Sequence, residues 1–427
     1  MTTLLAIVFT FLVFIRPQDW YEPLMTVPVV MIAGLFGGFF ALFQPNVIKN
    51  KHLLLLFVFC CIGFISELLN FWLSGAIADF LKLLTTVLLP FLIMFGLAQK
   101  LSTKEMVFYT VIVAAMLAVF NGQGQLADPN GLGWANNPIL NQHGELRIRY
   151  VGIFNDPNDT GLLLVMAIPL LFYFYQCGGA AKKFLALCAI CYLVYGIGLT
   201  NSRGAILTLI SMIGFYMWRR YGKIVAYMGV AAIVPVLLLL NTGGRGFSAS
   251  EESAYSRLDA WYAGSVMLKS SPIFGVGLGN FLEHHHLTAH STYVLCWSEL
   301  GITGFIVWFT FLFSILFMLY KVGYNDSLEL REEFKDDKQI VEQFTRYQIM
   351  SRTMLYSLLG FSVAVVFLSR LTFVPLYIVC AISLGTIFWL NQHSNYQIAL
   401  DKKMFTNLAI MSFCVLIGIN IGFRLLI

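Results

Sequence analysis

The chain has 427 residues, of which 59% are hydrophobic and only 11% are charged. A soluble domain carries about a quarter charged residues, so this composition excludes an ordinary soluble enzyme. The net charge of +5 follows from membrane topology, as the charge distribution below indicates, and does not indicate a nucleic-acid partner.

Apolar runs of nearly 20 residues recur along the whole chain and predict an all-α polytopic membrane protein. The predicted spans are residues 2–15, 24–43, 53–66, 80–98, 105–120, 159–176, 184–200, 204–218, 224–240, 291–320, 353–368, 372–390 and 405–424. The first is expected to be retained, because no basic segment precedes it and no small-residue cleavage site follows it. The last either crosses the membrane or lies flat, which gives 12 or 13 transmembrane helices.

With the N-terminus inside, 17 of the 27 Lys and Arg residues fall on the inner side and 9 on the outer side. This bias fixes the predicted orientation. We expect a single transmembrane domain over residues 1–427 with three long loops. Residues 121–158 and 241–289 lie outside, the second between the ninth and tenth spans, and residues 322–350 form a charged inner loop without a catalytic role.

The long outer loop 241–289 contains a predicted amphipathic helix that begins with a capping-box-like pair, Ser256 and Asp259. Its apolar side comprises Leu258, Trp261, Tyr262 and Val266, and Pro272 ends it. The aromatic residues favour a position at the membrane surface, where the helix would roof a cavity.

Four arginines lie on the outer side although topology disfavours them there: Arg147, Arg149, Arg203 and Arg257. Arg147 and Arg149 are two residues apart, which in an extended segment places them on one face. Arginine pairs bidentately with phosphate and keeps its charge, so the set indicates a pyrophosphate site. Snorkelling to lipid headgroups is the structural alternative.

Histidines cluster where the 241–289 loop meets the next span. His284, His285 and His286 are consecutive, and in a helix they would point about 100° apart, so we expect a solvated turn, with zinc binding as the alternative. His290 stands at the outer face and can accept a proton near neutral pH. On a helix it would share a stripe with Tyr293, whereas Glu299 falls on the opposite side.

Asp156 and Asn158 precede a span and are typical of a turn and helix N-cap, with a metal role for Asp156 and Asp159 as the alternative. Apart from the first and last residue of each predicted span, Lys82 and Glu299 are the charged residues that the spans contain. Ion-coupled transporters usually need buried acids or histidines, so this scarcity disfavours a transporter.

Four motifs, RYVGIFNDPNDTG, TNSRGA, SRLDAW followed by SPIFGVGLGNF, and AHSTYVLCWSELGITG, together resemble the O-antigen ligase and polymerase superfamily over residues 147–310. The resemblance implies a fold similar to that of the GT-C glycosyltransferases. It makes His290 the motif histidine, followed here by Ser291 where the family often has Asn. It makes Arg203 and Arg257 the motif arginines that hold pyrophosphate, together with Arg147 and Arg149.

The resemblance also implies a reaction. A bacterial inner-membrane enzyme would transfer O-antigen glycan from undecaprenyl pyrophosphate to lipid A-core at the periplasmic face, with inversion and without a metal or other cofactor. The alternatives are a polysaccharide polymerase, a protein O-oligosaccharyltransferase and, from another class, a glycolipid transporter. We expect residues 241–289 with His290 to form one part of the site and Arg147, Arg149 and Arg203 the other.

Overall fold

The structure is a computed structural model that describes residues 1–70, 72–128, 138–140, 146–225, 227–229, 231 and 252–426. The helices are α1 (Thr2–Phe14), α2 (Glu22–Met25), α3 (Val29–Leu42), α4 (Lys51–Leu69), α5 (Leu73–Leu83), α6 (Leu89–Leu97), α7 (Leu101–Ala127), α8 (Pro157–Cys177), α9 (Ala180–Thr200), α10 (Arg203–Tyr221), α11 (Glu252–Ser270), α12 (Phe281–His284), α13 (Thr292–Gly323), α14 (Lys338–Ala364), α15 (Val374–His393) and α16 (Lys402–Leu426). A π-helical turn, Leu84–Leu88, joins α5 to α6. In the described part of the chain, strands are limited to an antiparallel pair, β1 (Ile139–Leu140) and β2 (Leu146–Arg147).

Nine helical stretches among the described residues are long and apolar enough to cross a membrane. This confirms the predicted all-α polytopic membrane protein. Twelve of the thirteen predicted spans coincide wholly or partly with a helix. The remaining one, 224–240, lies largely outside the described residues, as do parts of the predicted loops 121–158 and 241–289.

The chain divides into two compact units. The first unit contains Met1–Gly37, Ala98–Gly246 and Gly323–Ala364; the second contains Gly38–Leu97, Phe247–Val322 and Val365–Ile427. The single domain expected from the short connections stays a prediction.

In the first unit, α8 packs against α7, α9, α10 and α14. Its residues from Asp159 to Ala167 are all buried, and Ser357 of α14 donates its hydroxyl to the carbonyl of Met166 at 3.1 Å. A helix that is apolar on every side, as α8 is, can be buried on every side. Helix α8 therefore forms the core of this unit, and the surrounding helices fix the position of its N-terminus.

The two ends of the first unit carry different residues. At one end Arg346 pairs with Glu105 at 3.3 Å, and Tyr347 bonds the carbonyl of Gln99. These residues belong to predicted inner segments. At the opposite end of α7, Gln125 bonds the Arg149 backbone, in a segment predicted to lie outside. Residues near two predicted inner loops therefore meet at one end of α7, and the predicted outer segment with Arg149 meets its other end; the orientation stays a prediction.

In the second unit, α4 packs on α5, and α6 on α15. At the N-terminal end of α4, buried His52 bonds Ser314 at 3.0 Å and the Lys51 amine donates to the carbonyl of Leu400 at 2.9 Å. At its C-terminal end, the Ser66 hydroxyl donates to the carbonyls of Phe274 and Glu299 at 2.6 and 2.8 Å. Helix α4 therefore fixes the segment 271–280 against α13.

Helix α13 is broken at Gly301, which has φ 65° and ψ −166°. The turn 271–279 packs against the break: Val276 and Gly277 donate their N–H groups to the carbonyls of Ser298 and Glu299 at 3.0 and 3.1 Å. A Cβ added to Gly301 would lie 2.4 Å from the carbonyl oxygen of Ile273. The turn thus satisfies carbonyls that the broken helix leaves exposed.

Helix α11 begins at Glu252, earlier than the predicted start, so the proposed capping pair of Ser256 and Asp259 lies inside the helix and does not cap it. The helix ends at Ser270, two residues before proline, as predicted. Of the predicted apolar side, Leu258, Tyr262 and Val266 are exposed. The helix buries Ala260, Ser265, Met267 and Leu268 instead, so its buried side is a different one from the predicted apolar side.

Candidate functional site

The segment that carries Arg147 and Arg149 is extended, which is the condition under which their spacing places them on one face, and its backbone is bound to the end of α9. The N–H of Ile148 donates to the carbonyl of Leu199 at 3.2 Å, and Ile148 is fully buried. Because side chains alternate along an extended segment, Arg147 and Arg149 lie on the opposite face from Ile148, and both are half-buried.

Both arginines are held by polar neighbours. The Nε of Arg147 donates to the carbonyl of Thr200 at 2.9 Å, and its Nη2 donates to Oδ1 of Asn158 at 3.2 Å. The side-chain amide of Gln125 bonds the backbone of Arg149 in both directions, at 2.8 and 3.2 Å. The backbone of Arg149 is therefore fixed, and Arg147 is oriented directly through its guanidinium.

Asn158 links Arg147 to the start of α10. The Ser202 hydroxyl donates to the same Oδ1 of Asn158 at 2.8 Å and also caps α10 by accepting from the N–H of Ala205. Arg203 is the first residue of that helix and is half-buried. The first unit therefore brings Arg147 beside the turn that carries Arg203.

The same place contains two helix N-termini. Asp156 caps α8 by accepting from the N–H of Asn158, as predicted, and Gly161 of α8 approaches α10 so closely that an added Cβ would lie 2.9 Å from that of Ala205. Helix N-termini carry a partial positive charge and favour anions. With two arginines nearby, this end of the first unit suits an anionic group. The orienting role of Asn158 was missed because its spacing indicates only a cap.

Tyr150 attaches this segment to the N-terminal helix. Its ring is fully buried, and its hydroxyl donates to the carbonyl of Ile15 at 2.9 Å. Burial raises the pKa of Tyr150 well above its ordinary value. The phenol is therefore neutral under ordinary conditions and acts as a fixed hydrogen-bond donor.

In the second unit, His290 is half-buried and adopts a left-handed backbone conformation with φ 47°. Ala289 and Ser291 on either side of it are buried. Helix α13 begins only at Thr292, so the predicted helical stripe of His290 with Tyr293 is wrong: a left-handed residue ends the helical periodicity. A non-glycine residue in this conformation costs about 1–3 kcal/mol and is often found at functional sites.

The backbone around His290 is held from two directions. The indole N–H of Trp261 on α11 donates to the carbonyl of Ala289 at 2.9 Å. The Thr292 hydroxyl donates to the carbonyl of Leu368 at 2.6 Å and accepts from the N–H of Arg370 at 2.8 Å. These contacts fix the conformation that presents the imidazole.

Arg257 lies on α11, one turn into the helix and not at its start as predicted. Its guanidinium stands over the ring of Phe367 at 6.0 Å from the centroid, a cation–π contact. Phe367 precedes Leu368, which binds Thr292, so the segment 365–370 supports both Arg257 and the residues around His290. Sequence analysis missed this segment because its apolar residues match the end of a membrane span.

The predicted placement of the other ionisable groups needs a correction. Helices α4, α5 and α7 extend beyond the apolar windows, so they also contain Glu67, Asp79 and Lys104, and the first and third are buried. The scarcity of charge that disfavoured a transporter is therefore smaller than predicted. Glu299 is buried, and its carboxylate accepts from the N–H of Phe281 at 3.3 Å.

The consecutive histidines are also arranged differently from the helical expectation. Helix α12 ends at His284, and His285 is extended with φ −150° and ψ 143°. The rings of His285 and His286 are 4.4 Å apart, and His285 bonds Asp259 of α11. Two of the three histidines therefore face the same neighbourhood.

Comparison with known proteins supports the resemblance drawn from the motifs. The family model described as O-antigen ligase matches residues 185–309. The match contains Arg203, Arg257 and His290, and Arg147 and Arg149 precede it. Curated proteins gave no match to the chain.

The matched residues extend from α9 to the first half of α13 and include the turn before α10, helix α11 and the His290 segment. Members of the matched family are glycosyltransferase-like ligases and polymerases of O-antigen. With its multiple apolar helices, the chain is a multi-pass membrane protein, and the match over residues 185–309 supports its membership of the O-antigen ligase and polymerase superfamily.

Proposed function

We propose that the protein transfers O-antigen glycan from undecaprenyl pyrophosphate to a sugar hydroxyl of lipid A-core at the periplasmic face of the inner membrane. The observation that carries the proposal is His290, a histidine inside the family match whose backbone is held in a left-handed conformation by Trp261 and Thr292.

In this reaction His290 is the general base. The acceptor hydroxyl oxygen attacks the anomeric carbon, His290 takes the hydroxyl proton, and the bond from that carbon to the pyrophosphate oxygen breaks. Undecaprenyl pyrophosphate leaves, and attack opposite the leaving group inverts the anomeric centre. Proton transfer to a positioned base contributes about 10²–10⁴-fold to a rate.

The arginines bind the pyrophosphate and stabilise the negative charge that develops on it. In the first unit this role falls to Arg147, Arg149 and Arg203, supported by the hydrogen bonds of Arg147 and the two helix N-termini. In the second unit it falls to Arg257, whose guanidinium is placed by Phe367. Fixed donors stabilise such charge without a proton transfer, so the reaction needs no metal ion.

The acceptor molecule distinguishes the proposed ligase from a polysaccharide polymerase and a protein O-oligosaccharyltransferase. Reconstitution with undecaprenyl-pyrophosphate glycan, followed by lipid A-core, a serine-containing peptide or no acceptor, separates them by the product. Transfer to lipid A-core that persists in EDTA supports the ligase. Longer lipid-linked glycan without an acceptor supports a polymerase, and a glycosylated peptide supports a protein transferase. Intact donor under every condition refutes the enzyme.

A glycolipid transporter is the second candidate, and buried carboxylates favour it. Glu67 is fully buried on α4, where Oε1 accepts from the amide of Asn280 at 3.1 Å and Oε2 has no hydrogen-bond partner among the described residues. With the helix break at Gly301, this is a pattern found in ion-coupled transporters. In vesicles, the transporter would move the lipid-linked glycan to the other leaflet without cleaving it.

A further inference from the structure

Three side chains with metal-binding atoms converge in the second unit. They are Asp259 on α11 and His285 and His286 after α12, and their ligand atoms all lie within 4.8 Å of one another. Nε2 of His285 lies 3.0 Å from Oδ2 of Asp259. None of the three is used in the proposed transfer reaction.

The surroundings of His285 match those of a metal-bound histidine. Its side chain is 9% exposed, and its Nδ1 lies 2.9 Å from the carbonyl oxygen of Leu287. Histidine ligands usually donate the second ring N–H to a carbonyl or carboxylate, which leaves the other nitrogen for the metal. If Nδ1 donates to Leu287, the lone pair of Nε2 points towards the Asp259 carboxylate. Either a second ring proton or a bound metal cation then joins the two groups.

A hydrogen bond without a metal would explain part of this arrangement. Nδ1 of His285 is also 3.1 Å from the N–H of Leu287, and accepting from it would leave Nε2–H to donate to Asp259. That arrangement gives no role to His286, whose ring lies 4.4 Å from that of His285 although its side chain is exposed and free to point elsewhere.

We infer that Asp259, His285 and His286 bind one zinc ion. Two imidazoles and a carboxylate form a ligand set that zinc accepts, and with three protein ligands a water molecule completes the tetrahedron. At bond lengths of about 2.0–2.1 Å, tetrahedral ligand atoms lie about 3.3 Å apart. The Asp259–His285 distance is already close to that spacing. His286 is exposed, so rotation of its side chain can bring its ring nitrogen to the same spacing from the other two ligand atoms.

The ion would act as a structural clamp. It joins α11 to the segment that leads to His290, the same two elements that the Trp261 hydrogen bond to Ala289 already connects. Zinc binding therefore stabilises this region and takes no part in bond breaking, so the inference does not depend on the proposed glycan transfer.

The test is a titration of the full-length, tag-free protein in detergent with Zn²⁺ and, as a spectroscopic probe, Co²⁺. We expect one ion per chain, a visible d–d absorption from bound Co²⁺, and displacement of Co²⁺ by Zn²⁺. Replacing a ligand should weaken binding at least as much as replacing an outer-shell partner, which costs about 10–100-fold. Asp259→Ala, His285→Ala and His286→Ala are expected to show that loss.

His284→Ala is the matched control, because His284 is an exposed histidine of the same segment and lies outside the cluster. It should bind both ions as the wild type does. Because His286 is exposed, its replacement leaves the packing intact. If another variant fails to fold, the loss of metal binding in His286→Ala therefore decides whether the zinc site exists. Absence of stoichiometric binding in the wild type, or equal binding by His286→Ala, would overturn the inference.

Failure of the inference differs from failure of the proposed function. His290→Ala should keep the Co²⁺ absorption while losing transfer, and His286→Ala should lose the absorption while retaining transfer in the presence of saturating donor.

Discussion

Asn158→Ala is the most informative perturbation of the first unit. The substitution removes an acceptor that serves the Arg147 guanidinium at 3.2 Å and the Ser202 hydroxyl at 2.8 Å. A hydrogen bond to a charged group contributes about 1.5–3 kcal/mol and a neutral one about 0.5–1.5 kcal/mol. Loss of both should lower the free energy of unfolding by about 2–4 kcal/mol.

The same change should affect the reaction, because Asn158 positions Arg147. We expect kcat/KM for the lipid-linked donor to fall by about tenfold to a hundredfold, which corresponds to about 1.4–2.7 kcal/mol. Most of the effect should appear in transition-state stabilisation and less in donor binding. Transfer rates measured at several donor concentrations, beside thermal unfolding, separate the two effects.

A double-mutant cycle decides whether Asn158 acts through Arg147. If it does, Arg147→Ala with Asn158→Ala should lower kcat/KM no more than Arg147→Ala alone. Tyr192→Phe is the matched control, because its hydroxyl donates to the Gln123 side chain, away from Arg147. It should change stability slightly and leave kcat/KM within about twofold. Additive losses in the double mutant would refute the positioning role.

Three further outcomes are expected. Gly301→Ala should abolish folded protein in size-exclusion chromatography, because its Cβ would lie 2.4 Å from a backbone oxygen. Gly418→Ala should elute as the wild type does, because the space around Gly418 is open. Normal elution of both variants would contradict the helix break at Gly301. Trp261→Phe should lower stability by about 1 kcal/mol through the lost bond to Ala289 and slow transfer; unchanged transfer would mean that this bond does not position His290. Because the pKa of Tyr150 is raised in the folded protein, its phenol contributes fully to the free energy of unfolding below pH about 10, and this contribution is lost as the pH rises further. Tyr150→Phe should therefore lose less thermal stability at alkaline pH than the wild type does. An equal loss in the two proteins would contradict this reasoning.

The membrane architecture follows directly from the sequence because hydropathy is a local property. An apolar run of 20 residues has few alternatives to a helix in lipid, and the N-cap at Asp156 depends on the cap side chain and the helix backbone that directly follows. The expectation that Arg147 and Arg149 share a face if their segment is extended is also local, because it depends only on their spacing. These predictions needed no knowledge of which helices pack together.

The errors arise where a helix continues beyond its apolar window or where distant segments meet. Glu67 and Asp79 lie just past predicted span ends, yet their helices include them. The approach of Asp259 to His285, 26 positions apart, depends on how the chain returns after α11. The support of Arg257 by Phe367 depends on a contact across more than a hundred positions. No spacing in the sequence indicates these contacts.

The role of His290 is tested most directly by transfer of labelled glycan from undecaprenyl pyrophosphate to lipid A-core, measured for wild type, His290→Ala and His284→Ala. The proposed mechanism predicts that His290→Ala lowers kcat by about 10²–10⁴-fold with unchanged thermal unfolding, and that His284→Ala transfers at the wild-type rate. A His290→Ala protein that releases undecaprenyl pyrophosphate as fast as the wild type would contradict the assignment of His290 as the general base.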